Sequence, residues 1–532
     1  MERIEEKIRA YLAKHLSIIS DDLELIEEEY SLKNKYGADG KIDILAKDQD
    51  NNYVIIEIKR SDQAARQALH EIAKYTALIK QELLVKDSEI RIIIVSTTWH
   101  ELLIPFSQAK KYSLQYLEGY RITLDNSNIP IDSEKIIPID IEIERELSRV
   151  QLSFLYTRDK DLKCNKENLE KYVLETGLSD YLILEIHTDD DILYPVGLYF
   201  AYQKMNEEFY LSLLEKRKFD SNDDGEYEEA CEIKDNDDFS DEEYINYLEQ
   251  AILLDLTNNM KCDSFEIGYP EKIAQSLNAN WKVDKVHKYG IFSRDKRMSN
   301  NMIIGEVCGI NGINVFYYFN QCLSKYEAKI SEIKKNVKKS LYLNNVWEEH
   351  VDQILDEIML EKEFRLIISI FNPMDILGTI ASIPNGDYFS SVPTYQIIIE
   401  YLNENKMKVF YGIIDWQKKG VNLEKIIKKY FYKDDFNYFL AKQVNEISVK
   451  DIKILNDIGL NYSTELLVIE NGKESYYDLE FERKRIVLSK LKEKNYLNDF
   501  LLKNPNFVED VINLYQKYTN AYNMTSTITN TL

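Results

Sequence analysis

The sequence predicts an α/β protein: an N-terminal unit with the element order α-β-β-β-α-β, followed by a large α+β C-terminal region. Three observations carry this. Ile4, Ile8, Tyr11 and Leu12 recur at helical spacing along the first segment. Apolar runs such as Val54-Ile55-Ile56 are bounded by turn-forming clusters and read as strands. A chain of 532 residues exceeds what one core supports, so two to four domains are expected.

In order, a helix is expected over 2–16, a strand over 23–30, and a turn through Gly37-Ala38-Asp39-Gly40. A strand over 41–47 and one over 53–60 flank the hairpin turn Asp48-Gln49-Asp50-Asn51-Asn52. A helix over 62–86, a strand over 90–96, a helix over 107–116 and a strand over 120–124 complete a domain of residues 1–125. Two prolines, Pro130 and Pro138, mark 126–140 as a linker. Residues 141–304 read as an α+β middle domain with an acidic loop at 220–243. Residues 305–518 read as a mostly helical α+β domain, with one long helix over 321–363, strands over 364–371, 395–401 and 408–414, and helices from 423 onward. The Thr/Asn-rich 519–532 reads as a flexible tail.

The net charge of −25 at first counts against a nucleic-acid partner. Its distribution removes that objection. Residues 1–125 hold 18 Lys+Arg against 22 Asp+Glu, and the rest of the chain holds 49 against 70. Thirteen acids between Asp220 and Glu243 face a single Lys234, which reads either as a solvated loop or as a phosphate mimic that covers a basic groove. Uncharged apolar runs such as Leu366 to Phe371 are far too short to cross a membrane. Met1-Glu2-Arg3-Ile4-Glu5-Glu6 opens as a charged helix and not as a signal peptide. Five cysteines, an odd number without a CxxC pair, read as reduced thiols of a cytoplasmic protein.

The chemistry concentrates at Asp43 and, fourteen positions on, Glu57-Ile58-Lys59. A hairpin brings Asp43 and Glu57 side by side, and two adjacent carboxylates repel unless a cation lies between them. Mg²⁺ or Mn²⁺, held by Asp43, Glu57 and the Ile58 carbonyl, would keep open positions for water and phosphate. Lys59 shares the Glu57 face by strand alternation and could hold the attacking water or a developing oxyanion. The tripeptide Glu-Ile-Lys also occurs at 232–234 and 332–334, but only the first copy follows a Gly-rich turn and two apolar strands. The plainer alternative is an edge hairpin with solvated charges, yet alternation places Glu57 and Lys59 on the half-buried face of Tyr53 and Ile55.

The run Gly37-Ala38-Asp39-Gly40-Lys41-Ile42-Asp43-Ile44-Leu45-Ala46, with Tyr53-Val54-Ile55-Ile56-Glu57-Ile58-Lys59-Arg60, resembles the nuclease domain of NucS/EndoMS-type enzymes in the PD-(D/E)XK endonuclease superfamily. The resemblance implies a restriction-endonuclease-like fold, metal binding by Asp43 and Glu57, and Lys59 as the motif lysine. The following helix of that family carries a glutamine before a tyrosine. Here Glu71-Ile72-Ala73-Lys74-Tyr75 puts glutamate in that slot, and Gln67, one turn earlier, could supply the amide. First-helix acids, Glu5 or Glu6, resemble the family's additional glutamate. The likeness covers about 125 residues and leaves some 400 unmatched behind it. That arrangement is similar to a bacterial anti-phage defence or restriction effector.

Other signals are weaker. Residues 425–433 interleave Lys with Ile, Tyr and Phe, as either a nucleic-acid surface or a core-facing helix. Lys325, Lys329, Lys334, Lys335, Lys338 and Lys339 line another helix, where Glu327 and Glu332 interrupt the basic stripe. Three glycines at 305–312 form no phosphate-loop motif. Six histidines lack zinc spacing. The expectation is a Mg²⁺-dependent endonuclease of double-stranded DNA that works as a homodimer or larger homo-oligomer. The alternatives are an RNA-directed nuclease, and a catalytically silent scaffold or binding module whose function lies in the C-terminal region.

Overall fold

The computed structural model describes residues 4–60, 62–139, 144–221, 225–234, 236, 240–361, 363–383, 392–432, 435–443, 446–482 and 485–522. The chain is α/β and divides into two compact units, Met1–Glu144 and Arg145–Leu532.

The first unit is built on one six-stranded sheet whose strands follow chain order. These are β1 (Glu24–Leu32), β2 (Gly40–Lys47), β3 (Tyr53–Lys59), β4 (Ile90–Ser96), β5 (Tyr116–Leu124) and β6 (Pro130–Lys135). Three helices accompany them: α1 (Ile4–Leu12), α2 (Asp62–Leu83) and α3 (Leu103–Tyr112). β1, β2 and β3 are joined by hairpins and run antiparallel, whereas β3, β4 and β5 run parallel because α2 and α3 cross between them. Both faces are covered. Ile44, Val54, Ile56 and Val95 pack under α1 residues Ile8 and Leu12, and Leu45, Ile55, Ile92 and Ile94 pack under α2 residues Ala68, Ile72 and Ile79. β3 is therefore buried along its interior without the polar alternation of a one-sided sheet.

Residues 130–135, expected within a linker, form β6 instead. Asp125 accepts the N–H groups of Ser127 and Ile129, each at 2.8 Å, and so builds the hairpin turn that returns the chain to β5. Pro130 is tolerated because it opens an edge strand.

The second unit carries two sheets. One is five-stranded in the order β10-β7-β9-β8-β11, from β7 (Gln151–Tyr156), β8 (Tyr181–Thr188), β9 (Val196–Tyr202), β10 (Ser264–Gly268) and β11 (Trp281–Lys288). Phe154, Ile183 and Phe200 pack on the helices Lys160–Thr176 and Asp241–Asn259, and Leu155, Leu184 and Tyr199 face Ile273, Phe292 and Ile303. Part of the expected acidic loop is helical, as Gly225–Lys234. Residues 222–224, 235 and 237–239 of it lie outside the described residues. At its end Ser240 opens the helix Asp241–Asn259 with a capping box, the Glu243 N–H donating to Ser240 Oγ and the Ser240 N–H to the Glu243 carboxylate. Acids at such a helix start favour its dipole.

The third sheet is antiparallel and seven-stranded in chain order: β12 (Tyr317–Leu323), β13 (Phe364–Phe371), β14 (Thr394–Tyr401), β15 (Lys406–Trp416), β16 (Leu460–Glu470), β17 (Lys473–Glu482) and β18 (Arg485–Lys490). Buried Phe364, Leu366, Ile368 and Ile370 alternate with more exposed neighbours along β13, so helices cover one face. The long helix expected over 321–363 is broken. Its start belongs to β12, and the remainder is two helices, Glu327–Ser340 and Asn345–Ile358. Leu343 turns the chain at φ 70°, and the Asn344 side chain then accepts the Trp347 N–H to begin the second helix. The helical run expected from 423 gives way to β16, β17 and β18 after Asp457. Tyr438 and the residues around it do form helices, and the helix Pro505–Tyr522 reaches into the expected tail, of which 523–532 lie outside the described residues.

A buried polar knot ties this unit together. Asp451 accepts the Ile376 N–H at 2.6 Å and the Tyr462 hydroxyl at 3.1 Å, and burial raises its carboxyl to about 7. Asp451→Ala strands both donors and is expected to cost about 2–5 kcal/mol, since each buried unpaired group costs about 1–3 kcal/mol. Asp451→Asn keeps an acceptor for the Ile376 N–H and turns an amide N–H toward the Tyr462 hydroxyl oxygen, so it should cost under about 1 kcal/mol. Chemical denaturation of the full chain, followed by tryptophan fluorescence, measures both.

Candidate active site

The site forms where β2 leaves β3. Their paired positions run from Lys47↔Tyr53 to Ile44↔Ile56, whereas β3 stays paired with β4 as far as Lys59↔Ser96. At the next register position Asp43 would face Glu57. There the Asp43 carboxylate replaces the missing ladder bond, accepting the Ile58 N–H at 2.8 Å. Alternation places Glu57 and Lys59 on the α2 side of the sheet, as Ile55 is, while the Ile58 side chain packs on the α1 side. Ile58 thus offers the site only its backbone.

Glu57 is almost fully buried, its side chain 3% exposed. Lys59 Nζ donates to Glu57 Oε1 at 2.6 Å and also to Glu71 Oε2 on α2. The other Glu57 oxygen, Oε2, is buried without a hydrogen-bond partner. Burial, and then the neighbouring Asp43, push the Glu57 carboxyl well above its usual range, with Lys59 pulling the other way. Burial also raises Asp43. Burial works to lower the Lys59 ammonium, but Glu57 and Glu71 outweigh it and hold it strongly protonated.

α2 can approach this closely because position 40 is glycine. A Cβ there would stand 3.0 Å from a Leu78 methyl and 3.1 Å from the Tyr75 ring. Tyr75 follows Glu71 by one turn, and burial, Glu57 and Glu71 raise its hydroxyl far above the usual value. Lys74 donates to the Asp39 carbonyl at 2.8 Å and pins the helix to the glycine-rich turn.

Of the residues expected from sequence, Asp43, Glu57, Lys59 and Glu71 converge. Gln67 is solvent-exposed one turn before Glu71. The expectation did not include Arg9, Glu28 and Glu29. Arg9 reaches from α1, its Nη1 lying 3.8 Å from Asp43 Oδ1. Three successive glutamates on a strand, 27–29, are the sequence signal that a counter-charge must be near. His350, by contrast, is packed rather than exposed for metal: it stacks on Phe481 and its ring nitrogen meets the Thr464 hydroxyl at 2.9 Å. The basic-aromatic helix Leu423–Tyr430 buries Leu423, Ile426 and Ile427, the core-facing alternative.

Residues 4–108 match the family model of the Endonuclease NucS C-terminal domain. This NucS-like segment contains every residue of the cluster just described and ends within α3. No curated protein and no solved structure matches the chain.

Among the described residues, no three His, Cys, Asp or Glu side chains converge as a ready-made metal cage. The donor set nevertheless fits an ion that keeps most of its waters. Asp43 and Glu57 offer two hard oxygen ligands, and the buried, unpartnered Glu57 Oε2 is an acceptor in want of a cation. Also among the described residues, no helix is long and apolar enough to cross a membrane.

Proposed function

We propose that the NucS-like segment is a metal-dependent endonuclease of the PD-(D/E)XK type that hydrolyses phosphodiester bonds in double-stranded DNA. The observation that carries this is the buried Glu57 carboxylate, one oxygen held by Lys59 and the other unpartnered beside Asp43. A buried carboxyl oxygen without a partner is costly, and a hairpin with no chemical role has no need of one.

Asp43 and Glu57 would hold Mg²⁺ or Mn²⁺, with the Ile58 carbonyl as the third protein oxygen. When bound, the ion supplies an acidified water and neutralises charge on the scissile phosphate. Asp43 is held in place for this by the Ile58 N–H. Lys59 orients the water and steadies charge that develops on the phosphate, while Glu71 fixes the ammonium. Gln67, exposed on α2, would meet the DNA backbone.

A nuclease unit joined to a larger body suits an anti-phage or restriction effector, in which the second unit senses a trigger or assembles a homodimer so that both strands can be cut. Supercoiled plasmid should be nicked or linearised by the full chain in Mg²⁺, and excess EDTA or Asp43→Asn should abolish it. Cleavage that persists in Asp43→Asn would sink the assignment. Degradation of RNA with intact plasmid would redirect the substrate, and retained partner binding without any cleavage would favour a scaffold.

A further inference from the structure

The network around the site extends beyond the carboxylates that would hold the ion. The Arg9 guanidinium donates through Nε to Glu28 Oε1 at 3.1 Å and meets Glu29 Oε1 through Nη2 at 2.8 Å. Lys41 Nζ meets the same Glu29 oxygen at 2.7 Å. Glu29 takes up φ 59°, in the left-handed region, as it directs its carboxylate to these two cations. With Nε and Nη2 engaged, Nη1 faces Asp43 Oδ1 at 3.8 Å. That is too long for a hydrogen bond and short enough for strong Coulomb attraction. The Arg9 side chain is only 15% exposed, so solvent and salt screen it weakly. A guanidinium cannot lose its proton, and the charge is therefore fixed.

We propose that Arg9 is a positioning residue for the Asp43 carboxylate whose fixed charge restricts the site to a single divalent cation. This rests on the metal-site reading above. With its carboxylates ionised, the ion-paired network sets Asp43, Glu57, Glu71, Glu28 and Glu29 against Arg9, Lys41 and Lys59. The excess of two negative charges is what one divalent ion neutralises. Without Arg9 the excess is three, and Glu28, with Glu29 then held by Lys41 alone, can join Asp43 in attracting a second ion.

The test is calorimetric titration of the full chain with Mn²⁺. The wild type should bind one equivalent that Asp43→Asn abolishes. Arg9→Met should bind at least about fivefold more tightly and take up a second equivalent, because removing a nearby like charge favours a cation. Arg9→Lys, which keeps the charge, should stay within about twofold of wild type. A purely structural role for Arg9 would weaken binding and not tighten it. If Arg9→Met does not fold, Glu29→Gln reads the same charge balance in reverse and should weaken Mn²⁺ binding several-fold. Unchanged affinity and stoichiometry in the folded Arg9 or Glu29 variant overturns the role of Arg9 alone. Two Asp43-dependent equivalents in the wild type also overturn it alone. A wild type with no Asp43-dependent binding overturns the metal site and this inference together.

Discussion

Glu57→Gln is expected to lose at least about 10³-fold in metal-dependent cleavage and, in the absence of metal, to melt at a higher temperature than wild type above neutral pH. The loss follows from removing one of the two proposed charged ligands and the partner of Lys59. The gain follows from linkage. Burial and Asp43 raise the Glu57 carboxyl in the folded chain above its unfolded value. Between those two values the folded state holds a proton that the unfolded state has released. Stability from this group is therefore fully present below the ordinary carboxylate range and is lost as pH rises toward the raised value. Glutamine keeps the shape and never ionises. The melting difference should vanish near pH 4 and grow to a few degrees by pH 8, equivalent to about 1–2 kcal/mol. Saturating Mn²⁺ should reverse its sign, because only the wild type gains binding energy. Thermal scans from pH 4 to 9, with and without Mn²⁺, decide this; equal melting at every pH would show that Glu57 carries no strained charge.

Lys59→Met separates binding from chemistry. The ammonium is 12% exposed and lies between Glu57 and Glu71. Its removal leaves the buried Glu57 and the half-buried Glu71 without their counter-charge. Metal-free stability should fall by about 2–4 kcal/mol, in keeping with the cost of breaking a buried pair. Mn²⁺ should bind at least as tightly as in wild type, since a repelling charge has gone. Cleavage at saturating metal should still drop about 10²–10³-fold, because nothing positions the water or the developing charge. Wild-type cleavage by this variant would remove Lys59 from the proposed chemistry.

The N-terminal unit was legible because its signals are local. The turn Gly37–Gly40, the Asp48 hairpin and the β-branched runs place β2, β3 and β4 within a residue or two of their observed ends. The clustering of Asp43, Glu57 and Lys59 was legible for the same reason, since a tight hairpin makes fourteen positions of sequence a direct neighbour relation. Arg9 was not, because its partners Glu28, Glu29 and Asp43 come from two strands that the helix meets only after folding. In the second unit the failure was one of period. Leu460, Tyr462, Thr464 and Leu466 alternate inward as a strand, yet their composition also suits a helix. The deciding cue was Asn471-Gly472, both at positive φ, a two-residue hairpin turn that joins β16 to β17.

The double coverage of β3 has a consequence for how faithfully the site is reproduced from molecule to molecule. A slip of β3 by one residue against β2 and β4 would turn Glu57 and Lys59 into the layer now filled by Ile56, Ile58, Ile8 and Leu12, and expose Ile58 where the carboxylates stand. In a sheet with one wet face such a slip already exchanges apolar and polar sides, so a single buried face is enough to fix the register. Here it would drive two charges into a dry layer, so misregistered chains are rejected by the core itself. The hydrophobic packing thus serves as the proofreader of the register on which the proposed site depends.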